Sequence, residues 1–336
     1  MTDWGDVITR TRGLASHLLR DEQYRALCEA QGIGALGAHL TTLGIVHAPA
    51  TGVPYDAAAL EESLRRRAGA RLRVLASWAG ERVEQLAPLL DDEDRRSIRA
   101  LVRGAVAGAA PEARLTGLIP TSSLPLRALQ QLATAGDVAT VGAQLLTWRH
   151  PFASAVAEEA QRQHLDLFRL EVALTRAFAE RALRTARRDT AMRRFAERTI
   201  DLENLWSVLI LADQHADLDP ASIFVCGGTL IRADDIAAAQ IAGSRFDIAE
   251  RLRVRVAHTP LAAALTAANR SAEDAAARAL EREFRALART APLSLAPVVH
   301  FVLRQRVELQ ALLRVTWSIA MHVPPVLIEG ALGVAA

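Results

Sequence analysis

Apolar residues recur at helical spacing along almost the whole chain, and hardly any stretch alternates in the way a half-buried strand does. The pattern predicts an opening helical hairpin over 6–19 and 21–30. A long helix or a broken pair follows over 57–89, rich in arginine on its outer face. Two more long helices are predicted over 161–188 and 191–213, and the set closes with helices over 280–289 and 297–322. Pro324-Pro325 ends the last long one, because proline lacks the amide hydrogen and its ring clashes with the preceding turn. Residues 44–55, with two glycines and two prolines among them, form the clearest loop. The run Asp91-Asp92-Glu93-Asp94 is predicted to open a helix, since the positive N-terminal end of a helix favours carboxylates. Ile98, Leu101, Val102 and Val106 would supply that helix's apolar stripe, as Leu202, Leu205, Val208, Leu209 and Ala212 would for the helix over 191–213.

One pattern, an acidic residue followed by an apolar helical stripe, returns three times. It stands at Asp94-x-x-Ser97-Ile98-x-x-Leu101, at Asp201-x-x-Asn204-Leu205-x-x-Val208 and at Glu308-x-x-Ala311-Leu312-x-x-Val315. The first residues of the copies, 94, 201 and 308, are 107 apart each time. Sliding the first copy onto the second also pairs Ala135-Gly136 with Ala242-Gly243 and Leu145 with Leu252. Identities between these anchors are few, and the match is one of pattern: helix, then a turn-rich stretch (117–120; Gly227-Gly228), then a second helix. A fixed period implies stacked or ring-arranged copies of one unit, whose function lies in the surface they build together. The units are drawn at 1–145, 146–252 and 253–336, with the N-terminal helices closing the third.

Composition narrows the classes. At 336 residues and 51% apolar, the chain can bury a sizeable core, and its alanine, leucine and arginine suit helices. Forty basic residues, all arginine, are nearly cancelled by thirty-eight acidic ones and interspersed with them, so no basic stripe for nucleic acid stands out. Cys28 and Cys226 are far apart, which supports neither a disulfide framework nor a thiolate metal site and fits a reducing cytoplasm. The start, Met1 to Asp6, has neither the basic residues nor the apolar stretch of a secretion signal. The apolar segments 205–212 and 317–336 are too short or too broken to span a bilayer, so any membrane association is expected to run through another protein.

Local motifs with chemical potential are weak. Gly32-x-Gly34-x-x-Gly37 has the spacing of a dinucleotide-binding turn, but that turn needs a strand before it and 24–30 is helical. The glycines read instead as a helix end and turn. Asp91 and Asp92 could hold Mg²⁺ against a prenyl diphosphate in an all-helical, terpene synthase-like enzyme. A cyclase cavity needs many aromatic rings, however, and only 4% of this chain is aromatic, so capping and solvation of the run are the expectation. The second acidic pair, Asp234-Asp235, lacks neighbouring hydroxyl and amide ligands. Nine histidines are scattered without the i, i+4 pairing of a zinc hydrolase, and there is no G-x-S-x-G elbow. No catalytic residue, cofactor or metal is expected.

Four stretches, Thr9 to Leu14, 89–104, 200–205 with 224–228, and Glu308 to Arg314 with Val323-Pro324-Pro325, together resemble the C/d family of central-stalk socket proteins in rotary A-type and V-type ATPases. The opening Thr9-Arg10-Thr11-Arg12-Gly13-Leu14 is similar to that family's arginine-rich first helix, and 89–104, around Asp94 and Ser97, to its first-unit helix. Ile200-Asp201-Leu202-Glu203-Asn204-Leu205, followed by Phe224-Val225-Cys226-Gly227-Gly228, resembles the second unit's acidic-x-x-Asn-Leu and Gly-Gly signature. Glu308 to Arg314, ending at Val323-Pro324-Pro325, is similar to the C-terminal helix. The first unit departs from the pattern with Ser97 where the second keeps Asn204, and Ala311 replaces a polar residue.

The resemblance implies an all-α funnel in which three similar units surround a central cavity with pseudo-threefold symmetry. It implies a non-catalytic rotor subunit, one copy per complex, seated on the membrane proteolipid ring and receiving the foot of the central shaft. The protein would be cytoplasmic and peripheral to the inner membrane through the ATPase. A generic helical-repeat adaptor is the conservative version of this reading. Asp94, Asp201, Asn204, Glu308 and Arg12 are its candidate interface or signature residues. The acidic ones have two open meanings: they orient the shaft, or they fix the long helices by buried bonds to arginines such as Arg193, Arg194 and Arg198.

Overall fold

The computed structural model describes residues 4–214, 219–242, 244–266 and 272–332. It is all-α, with no strand among the described residues. Three helices open the chain: α1 (Gly5–Ala15), α2 (Asp21–Cys28) and α3 (Ile33–Thr42). Then one order of elements runs twice, two long helices followed by a single turn and three short helices. The first run is α4 (Ala57–Ala79), α5 (Ala87–Val106), α6 (Pro111–Arg114), α7 (Leu126–Ala133), α8 (Val138–Thr147) and α9 (Ala153–Ala160). The second is α10 (Leu167–Thr185), α11 (Thr190–Gln214), α12 (Pro220–Ile223), α13 (Ala233–Ile241), α14 (Arg245–Val256) and α15 (Pro260–Thr266). Two long helices, α16 (Ala272–Thr290) and α17 (Ala296–Ala320), and the short α18 (Pro325–Leu332) end the chain.

Caps explain several boundaries. Asp56, Asp137 and Asp166 each accept a backbone N–H of the first turn of α4, α8 and α10, satisfying donors that a helix start leaves orphaned. The cap at Asp166 places 161–166 outside the helix that periodicity extends back to 161. The long helix over 57–89 is a broken pair, interrupted at Gly80 by a 3₁₀ segment, Gly80–Leu86, with Gly80 at a φ of 54° that favours glycine. In α3, Gly32 is the residue before the first turn, while Gly34 and Gly37 lie inside the helix rather than at its end. Gly37 is a packing seat: a Cβ there would run into the Tyr55 ring, whose hydroxyl bonds Thr41 Oγ1 at 2.8 Å.

The core has two parts that meet at Leu202. One gathers Ile98, Leu101 and Val102 of α5 with the apolar faces of α7 to α15. The other gathers α1 to α4, α17 and α18 with Phe195 and Phe284 from α11 and α16. The stripe on α5 closes with Ala105; Val106 is 48% exposed and belongs to the surface. Gly243, part of the sequence repeat, lies outside the described residues, as do the first three residues and the tail beyond 332. Among the described residues no helix is long and apolar enough to cross a membrane.

Candidate functional site: three buried anchors and an ionic collar

The three repeat carboxylates occupy one structural role. Asp94, Asp201 and Glu308 are buried at 1%, 0% and 4% exposure on α5, α11 and α17. Each accepts hydrogen bonds from the loop that leads into a short helix. Asp201 Oδ1 accepts the amides of Leu230 and Ile231 at 2.8 and 3.1 Å, just before α13. Glu308 Oε2 accepts the amide of Leu19 at 2.7 Å, just before α2. Asp94 Oδ1 accepts Thr121 Oγ1 at 2.5 Å, and that hydroxyl in turn accepts the amide of Leu124, just before α7. Close approach explains the glycine after Gly227, since a Cβ at Gly228 would collide with Asp201 Oδ1.

The charge balance of the anchors differs. Asp94 is held by neutral donors: Thr121, Ser123 and His150. The Phe152 amide donates to His150 Nδ1 at 3.2 Å, which leaves Nε2 to donate to Asp94 at 3.3 Å. Asp201 has one guanidinium, Arg198 at 3.4 Å; Arg193 and Arg194 turn away to Glu197 and Glu283. Glu308 has two, Arg71 at 3.0 Å and Arg67 at 3.5 Å, which also donate to the His17 carbonyl. Asn204 clamps the same loop as Asp201, giving its amide to the Val225 carbonyl at 2.8 Å and taking the Val225 amide at 3.0 Å. Arg12 lies apart from all of these, donating from the exposed face of α1 to the Pro292 carbonyl at 3.3 Å.

The acidic run fills the second turn of α5 and is buried along its whole length, contrary to the expectation of a solvated cap. Asp91 reaches Arg181 of α10 at 2.7 Å. Asp92 is shared by Arg95 at 2.7 Å, Arg306 at 3.0 Å and Arg96 at 3.2 Å. Glu93 takes Arg306 of α17 at 2.8 Å. Arg95, with 0% exposure, extends the chain to Glu203 of α11 at 2.9 Å and lies over the Phe178 ring of α10. Arg99 bonds Glu203 at 2.6 Å, and Arg103 holds Glu171 of α10 through two bonds. One ionic collar thus joins α5 to α10, α11 and α17. Sequence reasoning named Asp91 to Asp94 but missed Arg95, Glu203 and Arg306, whose only local signal is the i, i+3 spacing of Asp92 and Arg95.

Electrostatics follow from burial against pairing. Burial opposes charge on Asp92, but Arg96, Arg306 and Arg95 outweigh it and hold the carboxyl far below the usual range. The same contest leaves Glu203 at about 2, with Arg95 and Arg99 prevailing. For Asp91 burial wins over its single partner Arg181 and pushes it up to about 6. Asp91 and Asp92 are therefore neutralised within the fold, and Asp235 bonds the Arg232 amide and Arg255 at 2.6 Å. These carboxylates do not form a Mg²⁺ and diphosphate site, and the terpene synthase-like reading is not supported.

The arrangement is that of an all-helical scaffold whose long helices are locked together by buried ion pairs. The family model described as ATP synthase (C/AC39) subunit matches residues 7–330, and the chain belongs to that family. It is similar to the C subunit of the A-type ATP synthase of Haloferax volcanii, 28% identical over 90% of this chain and 89% of that protein. The corresponding A-type C subunit of Halobacterium salinarum is likewise 28% identical, over 90% of this chain and 89% of its own length. The C subunit of the V-type ATP synthase of Deinococcus radiodurans is 30% identical over 62% of this chain and 59% of that protein. The chain is thus a structural subunit of a V/A-type ATPase and works beside other ATPase subunits.

Proposed function

We propose that this protein is the socket of the rotor: it sits on the membrane proteolipid ring, receives the foot of the central shaft, and passes torque between them. Three units, each opened by two long helices, would surround a central cavity with pseudo-threefold symmetry. In this reading α16 to α18 form the third unit together with α1 to α3. The mechanical demand is that the units do not slide on one another when loaded. The observation that carries the reading is the end-to-end family match of a chain whose α5, α10, α11 and α17 are bound by a single buried collar. Buried, hydrogen-bonded ion pairs are directional and resist shear between helices more than apolar packing does.

The anchors Asp94, Asp201 and Glu308 serve this scaffold rather than touching the shaft, since their oxygens are occupied by donors inside the chain. Arg12 would help to hold α1 against the segment before α17. One copy per complex, peripheral to the membrane through the ATPase, is the corresponding placement. The test is a mild-detergent pull-down of tagged protein from native membranes, with bound chains identified by mass and ATPase activity assayed. Recovery of a small shaft protein, a ring proteolipid and nucleotide-binding subunits is expected. Recovery of the protein alone, without ATPase, overturns the proposal.

A further inference from the structure

The three repeat helices can be compared nine residues after their signature acids, where the chain carries Arg103, Ile210 and Trp317. In two cases that side chain fastens its helix to a neighbouring long helix. Arg103 of α5 gives two hydrogen bonds, of 2.5 and 2.7 Å, to Glu171 of α10. Trp317 of α17 gives its indole N–H to Glu61 of α4 at 2.6 Å. Ile210 of α11 has no donor to give and is 39% exposed. The seam between α11 and α16 is instead stapled near the start of α11. There Arg194 and Arg198 meet Glu283 at 2.5 and 3.4 Å, and Phe195 packs edge-on against Phe284. Further along, the two helices, together with α5 and α17, border a cavity of about 400 Å³ whose walls include Arg96 and Arg99 of α5, Trp206 of α11, Glu273 of α16 and Gln310 of α17. Ile210 and Glu273 line the smaller cavity beside it.

We propose that this cleft between α11 and α16 is a docking surface for a helix of the shaft, one that carries an apolar face and at least one carboxylate. The proposal rests on the rotor-socket reading and says which seam of the socket takes the load. Two splayed helices leave a groove that a third helix fills by ridge-into-groove packing. Trp206 lines both cavities and Ile210 the smaller one, an apolar surface that a partner's apolar side chains would cover. The wall of the groove carries Arg96, whose side chain is 45% exposed and spends only Nε on Asp92, at 3.2 Å. Among the described residues its two terminal nitrogens make no hydrogen bond, the charge being balanced by Asp92, Glu93 and Glu203 nearby, and such a fork is matched by a carboxylate. The first and third copies of the repeat close the corresponding seams internally, and the second leaves its seam to be closed from outside.

The experiment uses the full chain and the purified shaft subunits of the same ATPase, with dissociation constants measured at several salt concentrations and melting followed for every variant. Ile210→Trp places in the second copy the residue that the third carries and fills the cleft without adding charge. It is expected to melt at or above the wild-type temperature and to bind the shaft at least about tenfold more weakly. Arg96→Gln leaves Asp92 with Arg95 and Arg306 and is expected to weaken binding and flatten its salt dependence. Wild-type binding by both variants overturns the proposal. Should Ile210→Trp melt lower, Arg96→Gln decides alone: unchanged affinity and salt dependence overturn the docking surface, and weakened binding supports it. Failure of the wild-type chain to bind the shaft would overturn the rotor-socket reading itself, and this surface with it.

Discussion

Asp201 shows how much one buried carboxylate can hold. It has no exposure, and it accepts two backbone amides, Leu230 and Ile231, and pairs with Arg198. Asp201→Ala strands those donors in the interior, where an unsatisfied amide costs about 1–3 kcal/mol. The expected loss is therefore about 3 kcal/mol or more, read by chemical denaturation of the purified chain. An unchanged midpoint with failed assembly into the ATPase would instead put Asp201 at an interface. Thr121→Val tests the same role in the first copy, because that hydroxyl both donates to Asp94 and accepts from the Leu124 amide. A loss of about 2 kcal/mol is expected from removing both bonds in a buried site. The three acids were legible in the sequence because a constant interval marks them, but their partners were not. Thr121 and Leu230 sit in loops whose register no periodicity records, and Asp94 and Asp201 use different donors for the same task.

Between elements, the collar decides which helices stay together. Arg306 of α17 is the guanidinium beside Glu93 of α5 and also reaches Asp92. Arg306→Met leaves Glu93 buried without its direct ion-pair partner, and breaking one side of a buried pair costs about 3–5 kcal/mol. Adding Glu93→Leu removes the orphaned charge, so the double variant is expected to recover much of that loss, with an interaction energy of at least about 1 kcal/mol in the double-mutant cycle. Additive losses would show that the pair is not coupled. Asp91, between α5 and α10, predicts a pH effect of definite sign. Burial raises it from 3.8 to about 6, so the folded chain binds a proton there that the unfolded chain has released between those values. That stabilisation is complete at the acid end and is lost as pH rises through about 6. Asp91→Asn should abolish this falling slope between about pH 4 and pH 6 in stability curves; an unaltered slope would assign it to other groups. Glu203, depressed from 4.5 to about 2, acts in the opposite sense and loses its contribution as pH falls below about 4. The helices themselves could be read from their period. The burial of Asp91 to Asp94 could not, because a charge run looks solvated until its partners are known, and Arg306 stands more than 200 positions away.

Across the whole molecule, the link between α1 and α2 is stitched to the last long helix. Glu308 of α17 takes the Leu19 amide, Arg67 and Arg71 hold both Glu308 and the His17 carbonyl, and Arg304 donates to the Leu19 carbonyl at 3.2 Å. In the socket reading this stitch closes the ring of units, so it should govern transmission rather than catalysis. Glu308→Ala removes its centre and leaves Arg67 and Arg71 facing one another. Local opening is governed by local contacts, so amide exchange should accelerate together in α1 to α3 and α17, while α8 and α9, packed in the other part of the core, keep wild-type protection. Uniform acceleration would mean that the chain opens as one unit and that the stitch has no separate mechanical role. In the assembled ATPase the same variant should go on hydrolysing ATP while moving fewer ions per turnover, because a loosened socket slips under load. A parallel fall of both activities would point to lost assembly, and full coupling in a chain with faster exchange at α1 to α3 would show that torque does not pass through this closure.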